Sequence, residues 1–199
     1  MAAINAEMIK ELRGRTNAGI MDCKAALQEA DGDLEKAVDF LRKKGLATAL
    51  KRAGRETSEG VINSYIHAGG RIGVLVEVNC ETDFVAKTDE FKDLVKDLAM
   101  HIAATKPLGI GREDIPEEIL RREEEIYRGQ AREMGKPEKI LDKIVEGKME
   151  KFYKESCLLE QQYVKNTDLT IQELIHEMVG KMGESISVRR FVRYQLGGE

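Results

Sequence analysis

Apolar residues recur at helical spacing in three short runs before residue 45. Met8, Ile9 and Leu12 share one side of a segment that Asn5 can cap and Gly14 is expected to end. Met21, Ala25, Ala26 and Leu27 form the apolar side of a second segment, which stops at the turn dipeptide Asp31-Gly32. Asp33 can cap a third, with Leu34, Ala37, Val38 and Leu41 on one face and Gly45 expected to close it. Three helices of this size bury little surface, which predicts a small module of their own.

At Gly60 the period shortens to two. Val61, Asn63 and Tyr65 alternate with Ile62, Ser64 and Ile66, His67-Ala68-Gly69-Gly70 supplies a turn, and Ile72, Val74, Val76 and Val78 return on one face. The pattern predicts a β-hairpin. A helical stripe follows at Phe91, Leu94, Val95, Leu98 and Ile102, ended near Pro107 and the Gly109-x-Gly111 loop. Pro116 and Pro137 each open a charged helix, and the short Gly135-Lys136 link should fold the pair back as a helical hairpin. Its apolar positions are Leu120, Tyr127, Ala131 and Met134, then Leu141, Ile144, Val145 and Phe152. Thr170-x-x-Glu173 reads as a capping box before Ile171, Leu174, Ile175 and Met178, and Ile186 to Leu196 alternates as a last strand. The order α-α-α, then β-β-α-α-α-α-β, predicts an α+β chain in two parts. One is a three-helix module with a basic linker, residues 1–54. The other is an α+β core, residues 55–199, with a small antiparallel sheet and the helical hairpin at about 116–154.

Composition narrows the function classes. The 199 residues are 42% hydrophobic and 34% charged, too apolar for a disordered chain. A net charge of −4 argues against coating nucleic acid, and 5% aromatics without Trp disfavours base-stacking platforms. No apolar stretch approaches the ~20 residues of a membrane span, and the first residues have no secretory pattern. Cys23, Cys80 and Cys157 stand far apart with no CxxC pair, which points away from zinc and disulfides and toward a reducing cytoplasm. The charge is uneven: residues 1–54 carry ten basic and eight acidic groups, the rest 22 and 28. Six basic residues and no acidic one fall between Arg42 and Arg55, readable as a solvated linker helix or as a contact for an acidic partner or RNA.

Motifs for chemistry are missing. The sequence has no phosphate-binding GxxxxGK[ST], no GxGxxG after a strand, no HExxH and no GxSxG. His67, His101 and His176 are isolated and read as surface or packing residues, and the carboxylates lie among Lys and Arg as on solvated helix faces. An enzyme, a metal and a cofactor are not expected. Two segments stand out instead. One is the run of mixed basic and small residues from Leu12 to Leu27. The other is Asn79-Cys80-Glu81-Thr82-Asp83-Phe84-Val85-Ala86-Lys87, between a strand's end and a helix. A Phe between Asp and Lys at such a corner either plugs the core or projects as an aromatic anchor.

These two segments, with Ile66-His67-Ala68-Gly69-Gly70-Arg71-Ile72-Gly73 and Val188-Arg189-Arg190-Phe191-Val192-Arg193-Tyr194, closely resemble the translation elongation factor Ts family. The likeness spans nearly the whole chain. It implies a guanine-nucleotide exchange factor for the GTPase elongation factor Tu, with a three-helix module similar to ubiquitin-associated domains. Arg13, Ile20, Met21 and Lys24 match positions that contact the partner's GTPase domain. Thr82, Asp83, Phe84 and Val85 match the element that intrudes beside the partner's Mg²⁺-nucleotide site. There the resemblance implies that Phe84 wedges between helices and Asp83 engages the partner. Asn17 and Ile20 stand where many members have Gly and Met; Asn tolerates positive φ and Ile keeps an apolar contact. Neither a membrane nor direct nucleic-acid binding is required. The chain has one core, as in short family members, and an apolar terminal strand left as an edge favours a homodimer.

Overall fold

The structure, a computed structural model, describes residues 4–16, 18–135 and 137–198. Asn17 and Lys136, the latter expected in the helical-hairpin turn, lie outside the described residues. The chain divides into two compact units. The first comprises residues 1–60, 79–88 and 173–187, the second 61–78, 89–172 and 188–199.

The first unit begins with α1 (Ala6–Thr16), α2 (Ile20–Glu29) and α3 (Leu34–Arg52). Asn5 caps α1 by accepting from the Met8 amide at 2.9 Å, and Asp33 caps α3 by accepting from the amides of Glu35 and Lys36. Asp31 and Gly32 turn the chain with positive φ, 49° and 86°, while the Gly32 amide donates to the Leu27 carbonyl. Leu12, Cys23, Ala26, Leu27 and Ala37 form the buried centre of the three helices. Three expectations change here. Gly14 lies inside α1, which continues to Thr16 and closes with the Thr16 hydroxyl donating to the Leu12 carbonyl. Met21 and Ala25 face solvent, because the α2 stripe that meets α1 and α3 is Cys23, Ala26 and Leu27. Gly45 does not close α3: it is buried against α8 (Ile171–Met182), and a β-carbon on Gly180 would stand 2.9 Å from the Gly45 Cα. Gly45 and Gly180 are therefore the point of close approach of two helices, a role the local pattern does not separate from that of a helix stop.

The second unit holds most of a three-stranded sheet, order β1-β2-β5, with β1 (Glu59–Ile66), β2 (Ile72–Cys80) and β5 (Ile186–Gln195). The hairpin turn closes with the His67 amide donating to the Ile72 carbonyl, and the Leu196 amide donates to Arg71 O, which runs β5 antiparallel to β2. Val74, Val76 and Val78 are buried on one face. α5 (Asp89–Thr105) lies on that side: Arg193 donates to the Ala103 carbonyl, and Phe91, Leu94, Val95, Leu98 and Ile102 are buried. α6 (Glu117–Glu133) and α7 (Glu138–Ser156) form the expected helical hairpin, joined by Arg128–Asp142, Arg132–Glu138 and the Lys148–Gln130 hydrogen bond. Within it Ala131, Leu141 and Val145 are buried, whereas Met134 sits at the exposed tip rather than in the apolar seam. At its base Arg112 forks onto Glu150 and Glu160 and stacks 4.3 Å from the Tyr153 ring centre. The pattern gave no sign of β3 (Gln162–Tyr163) and β4 (Asn166–Thr170), a short antiparallel pair joining Gln162 to Thr170.

Candidate partner-binding site

Past the end of β2, Thr82 turns the chain into α4 (Asp83–Ala86), a single helical turn. The Thr82 hydroxyl accepts from the Val85 amide at 3.5 Å as an N-cap, and the Thr82 carbonyl accepts from the Ala86 amide. The helical period settles what the pattern left open. Ala86 goes into the core, Val85 is half-buried, and Phe84 projects at 79% exposure. Phe84 therefore does not plug the core. Asp83 beside it pairs with Lys87 one turn on, and that Lys87 hydrogen bond is the main reason its carboxyl lies below the usual range.

The corner is held from outside. Glu184 accepts from the Thr82 hydroxyl at 2.6 Å and from the Thr82 amide at 3.0 Å. Glu81 in return accepts from the Ser185 amide at 2.6 Å, from Arg52 at 2.8 Å and from Arg55 at 3.2 Å. The Ser185 amide, then the two guanidiniums, hold the Glu81 carboxyl down to about 2. The sequence pattern assigns Glu81 no task and does not single out Glu184 or Ser185. Nothing local marks them, because they meet the corner from about a hundred residues further along the chain.

The four module residues surface on α1 and α2. Ile20 (56% exposed), Met21 (73%) and Lys24 share one exposed side of α2, and Arg13 is exposed in the last turn of α1. Cys23, Ala26 and Leu27 fill the opposite side. An apolar pair flanked by basic side chains suits an apolar patch with an acidic rim. α3 ties this patch to the corner: Lys44 pairs with Asp22 at 2.6 Å, and eight residues on Arg52 pairs with Glu81 at 2.8 Å. At 1.5 Å per residue those anchors are ~12 Å apart along one rigid helix.

Four of the six basic residues in the stretch 42–55 form ion pairs within the chain. Arg42 pairs with Glu177, Lys44 with Asp22, and Arg52 and Arg55 with Glu81. All three cysteines are buried and unlinked, and burial raises the Cys80 and Cys157 thiols to about 11, so little thiolate exists at neutral pH. Among the described residues, no group of His, Cys, Asp or Glu is arranged to hold a metal ion, and no helix is long and apolar enough to cross a membrane.

A family model described as Elongation factor TS matches residues 35–198, from the first turn of α3 onward. The chain is 63% identical over 197 residues to elongation factor Ts of Desulfosudis oleivorans, covering 99% of this chain and 100% of that protein. It is 62% identical over 194 residues to elongation factor Ts of Moorella thermoacetica, covering 98% and 96%. The counterpart from Syntrophomonas wolfei is 62% identical over 194 residues, covering 98% and 91%. These relatives extend the likeness through α1 and α2, which precede the family match.

Proposed function

The chain belongs to the elongation factor Ts family of translation elongation factors, and from that premise we propose that it is a guanine-nucleotide exchange factor for elongation factor Tu, acting in the cytoplasm. The observation that carries this reading is Phe84: an aromatic ring 79% exposed on a turn whose first residue, Thr82, is held by its amide and its hydroxyl, both donating to Glu184. A pre-held aromatic loses little entropy on docking and dominates interface energy. Phe84 enters the partner beside its Mg²⁺-nucleotide site, Asp83 engages the partner there, and Thr82 and Val85 carry the turn. Arg13, Ile20, Met21 and Lys24 hold the GTPase domain. Mg²⁺ tolerates little departure from octahedral geometry, so a small displacement in the partner weakens its hold on GDP. Binding of this chain and of nucleotide oppose each other by one coupling free energy, which makes the exchange reversible. No bond is made or broken by this chain, so it needs no catalytic residue.

The test is labelled-GDP release from purified elongation factor Tu with and without the chain. Phe84→Ala is expected to slow stimulated release at least tenfold, a loss of ~1.4 kcal/mol or more, with folding retained. Release at the unmodified rate removes Phe84 from this role.

We further propose that two copies pair through the outer sheet face. It exposes Ile62, Ile66, Leu75, Val192 and Tyr194, and its edge strands β1 and β5 are open within the sheet. Light scattering is expected to give twice 22.4 kDa at micromolar concentration, and the monomer mass refutes pairing. A second class of function, RNA binding through residues 42–55, is disfavoured by the ion pairs that occupy Arg42, Lys44, Arg52 and Arg55. Its signature is a steep salt dependence of RNA affinity.

A further inference from the structure

Two short segments about a hundred residues apart are cross-stapled through their side chains. Glu184 takes both hydrogens that Thr82 offers, from its amide at 3.0 Å and its hydroxyl at 2.6 Å. Glu81, the residue before Thr82, takes the amide of Ser185, the residue after Glu184, at 2.6 Å. The two carboxylates thus exchange hydrogen bonds with each other's neighbours. Charge-assisted bonds of this kind are the stronger class, and here each carboxylate receives at least two. Arg52 and Arg55, at the end of α3 and just beyond it, balance the Glu81 charge.

The arrangement reaches Phe84 through one atom. The Thr82 hydroxyl has a single hydrogen, and Glu184 Oε1 claims it. Its oxygen is then oriented with a lone pair toward the Val85 amide, the cap that starts α4. Without Glu184 the hydroxyl is free to rotate and its hydrogen competes for that position. α4 is one turn long, too short to hold its own direction, so its cap decides where the next side chain points. Glu184 is itself placed by α8, seated on α3 at Gly45 and Gly180, and by Gly183, whose φ of 71° turns the chain out of the helix.

We propose that Glu184, supported by Glu81, is a positioning residue for nucleotide exchange: it touches no partner group and acts by fixing the direction in which Phe84 is presented. This rests on the exchange reading of Phe84 above. It also makes the exchange corner dependent on the α8–β5 connection, a segment that carries none of the contact residues.

The experiment is a double-mutant cycle in stimulated GDP release, using the full chain with Phe84→Ala, Glu184→Ala, Glu184→Gln and the Phe84→Ala/Glu184→Ala pair. Glu184→Ala is expected to slow release about tenfold, the scale of losing a charge-assisted pair at a buried or interface position. Glu184→Gln keeps one acceptor and should fall between Glu184→Ala and the unmodified chain. The pair should release no more slowly than Phe84→Ala alone, because without the ring there is nothing to aim. Amide hydrogen exchange on the free chain supplies a readout independent of the partner: Glu184→Ala should deprotect Thr82 and Val85 while leaving α5 and α7 unchanged. Release by Glu184→Ala at the unmodified rate, with Phe84→Ala slow, overturns the positioning role and leaves the exchange reading standing. Multiplying defects in the pair overturn it likewise. If Phe84→Ala itself releases at the unmodified rate, the exchange reading of Phe84 falls and takes this inference with it.

Discussion

Replacing a helical glycine by alanine is expected to have opposite signs at different places in this chain, and the structure says where. In α6 and α7, Gly129 and Gly147 have open space where a β-carbon would go. Alanine there gains helix propensity alone, about 0.5–1 kcal/mol each. At Gly180 the new β-carbon would stand 2.9 Å from the Gly45 Cα, a backbone atom that cannot swing aside. Carbon–carbon contacts are comfortable at about 3.5–4.0 Å, so α8 and α3 must part by more than half an ångström. Overpacking of this kind costs about 1–3 kcal/mol. The propensity gain is at the low end of its range, because Gly180 lies in the last turn of α8. The net loss is then ~1–2 kcal/mol. For a chain of this size 1 kcal/mol moves the melting temperature by about 2–4 °C. Gly180→Ala should therefore lower Tm by about 2–8 °C while Gly129→Ala and Gly147→Ala raise it by about 1–4 °C. Gly45→Ala, whose β-carbon meets the His176 carbonyl oxygen at 3.3 Å, should fall between them. Thermal melts of the four variants decide the matter. If Gly180→Ala melts higher, as Gly129→Ala does, the close helix crossing is not what this glycine is for.

Two further predictions concern the second unit. His101 is fully buried, shares a hydrogen bond with Gln161 Oε1 at 3.0 Å and accepts from the Val164 amide at Nδ1, an arrangement that suits the neutral ring. Burial lowers its pKa below 6.5, so the unfolded chain takes up the proton first. Its contribution is complete above about pH 6.5 and declines as the pH falls through the lowered folded value. His101→Gln should accordingly flatten the Tm profile between pH 7 and 5, and parallel profiles would refute this. Arg112→Ala should lower Tm by about 2–4 °C, since the fork onto Glu150 and Glu160 is a bidentate network rather than a lone surface pair. Arg112→Lys should recover little, because an ammonium cannot make the fork, and full recovery would show that charge alone suffices.

How much of this was legible in the sequence follows from how local each feature is. The Asn5 and Asp33 caps, the Asp31-Gly32 turn, the β1–β2 hairpin and the proline-opened helical hairpin depend on residues a few positions apart, and each was readable. Gly14 and Gly45 were misread as helix stops for the same reason. A glycine's effect on its own helix is local, while the neighbour packed on it is not. Met21 and Ala25 belong to the apolar set of α2 but not to its buried face, because apolar character alone does not decide burial and Cys23 fills that face with Ala26 and Leu27. β3 and β4 leave no sign in the pattern because β3 is two residues long and Leu169 is the one apolar residue of β4, too little for an alternation.

The sequence by itself determined the family and the order of the longer elements, because motifs, caps and periodicities are written within a few turns of chain. It also placed Thr82 to Val85 at a strand-to-helix corner, but it left the direction of Phe84 open between core and solvent. Only the tertiary structure decided that direction, and it did so through Ala86, which takes the buried side of α4, and Glu184, which holds Thr82. That contact closes a loop of about a hundred residues. Such a pairing leaves no period or spacing in the sequence, because its two partners are neighbours only in the folded chain, where α8 packs on α3.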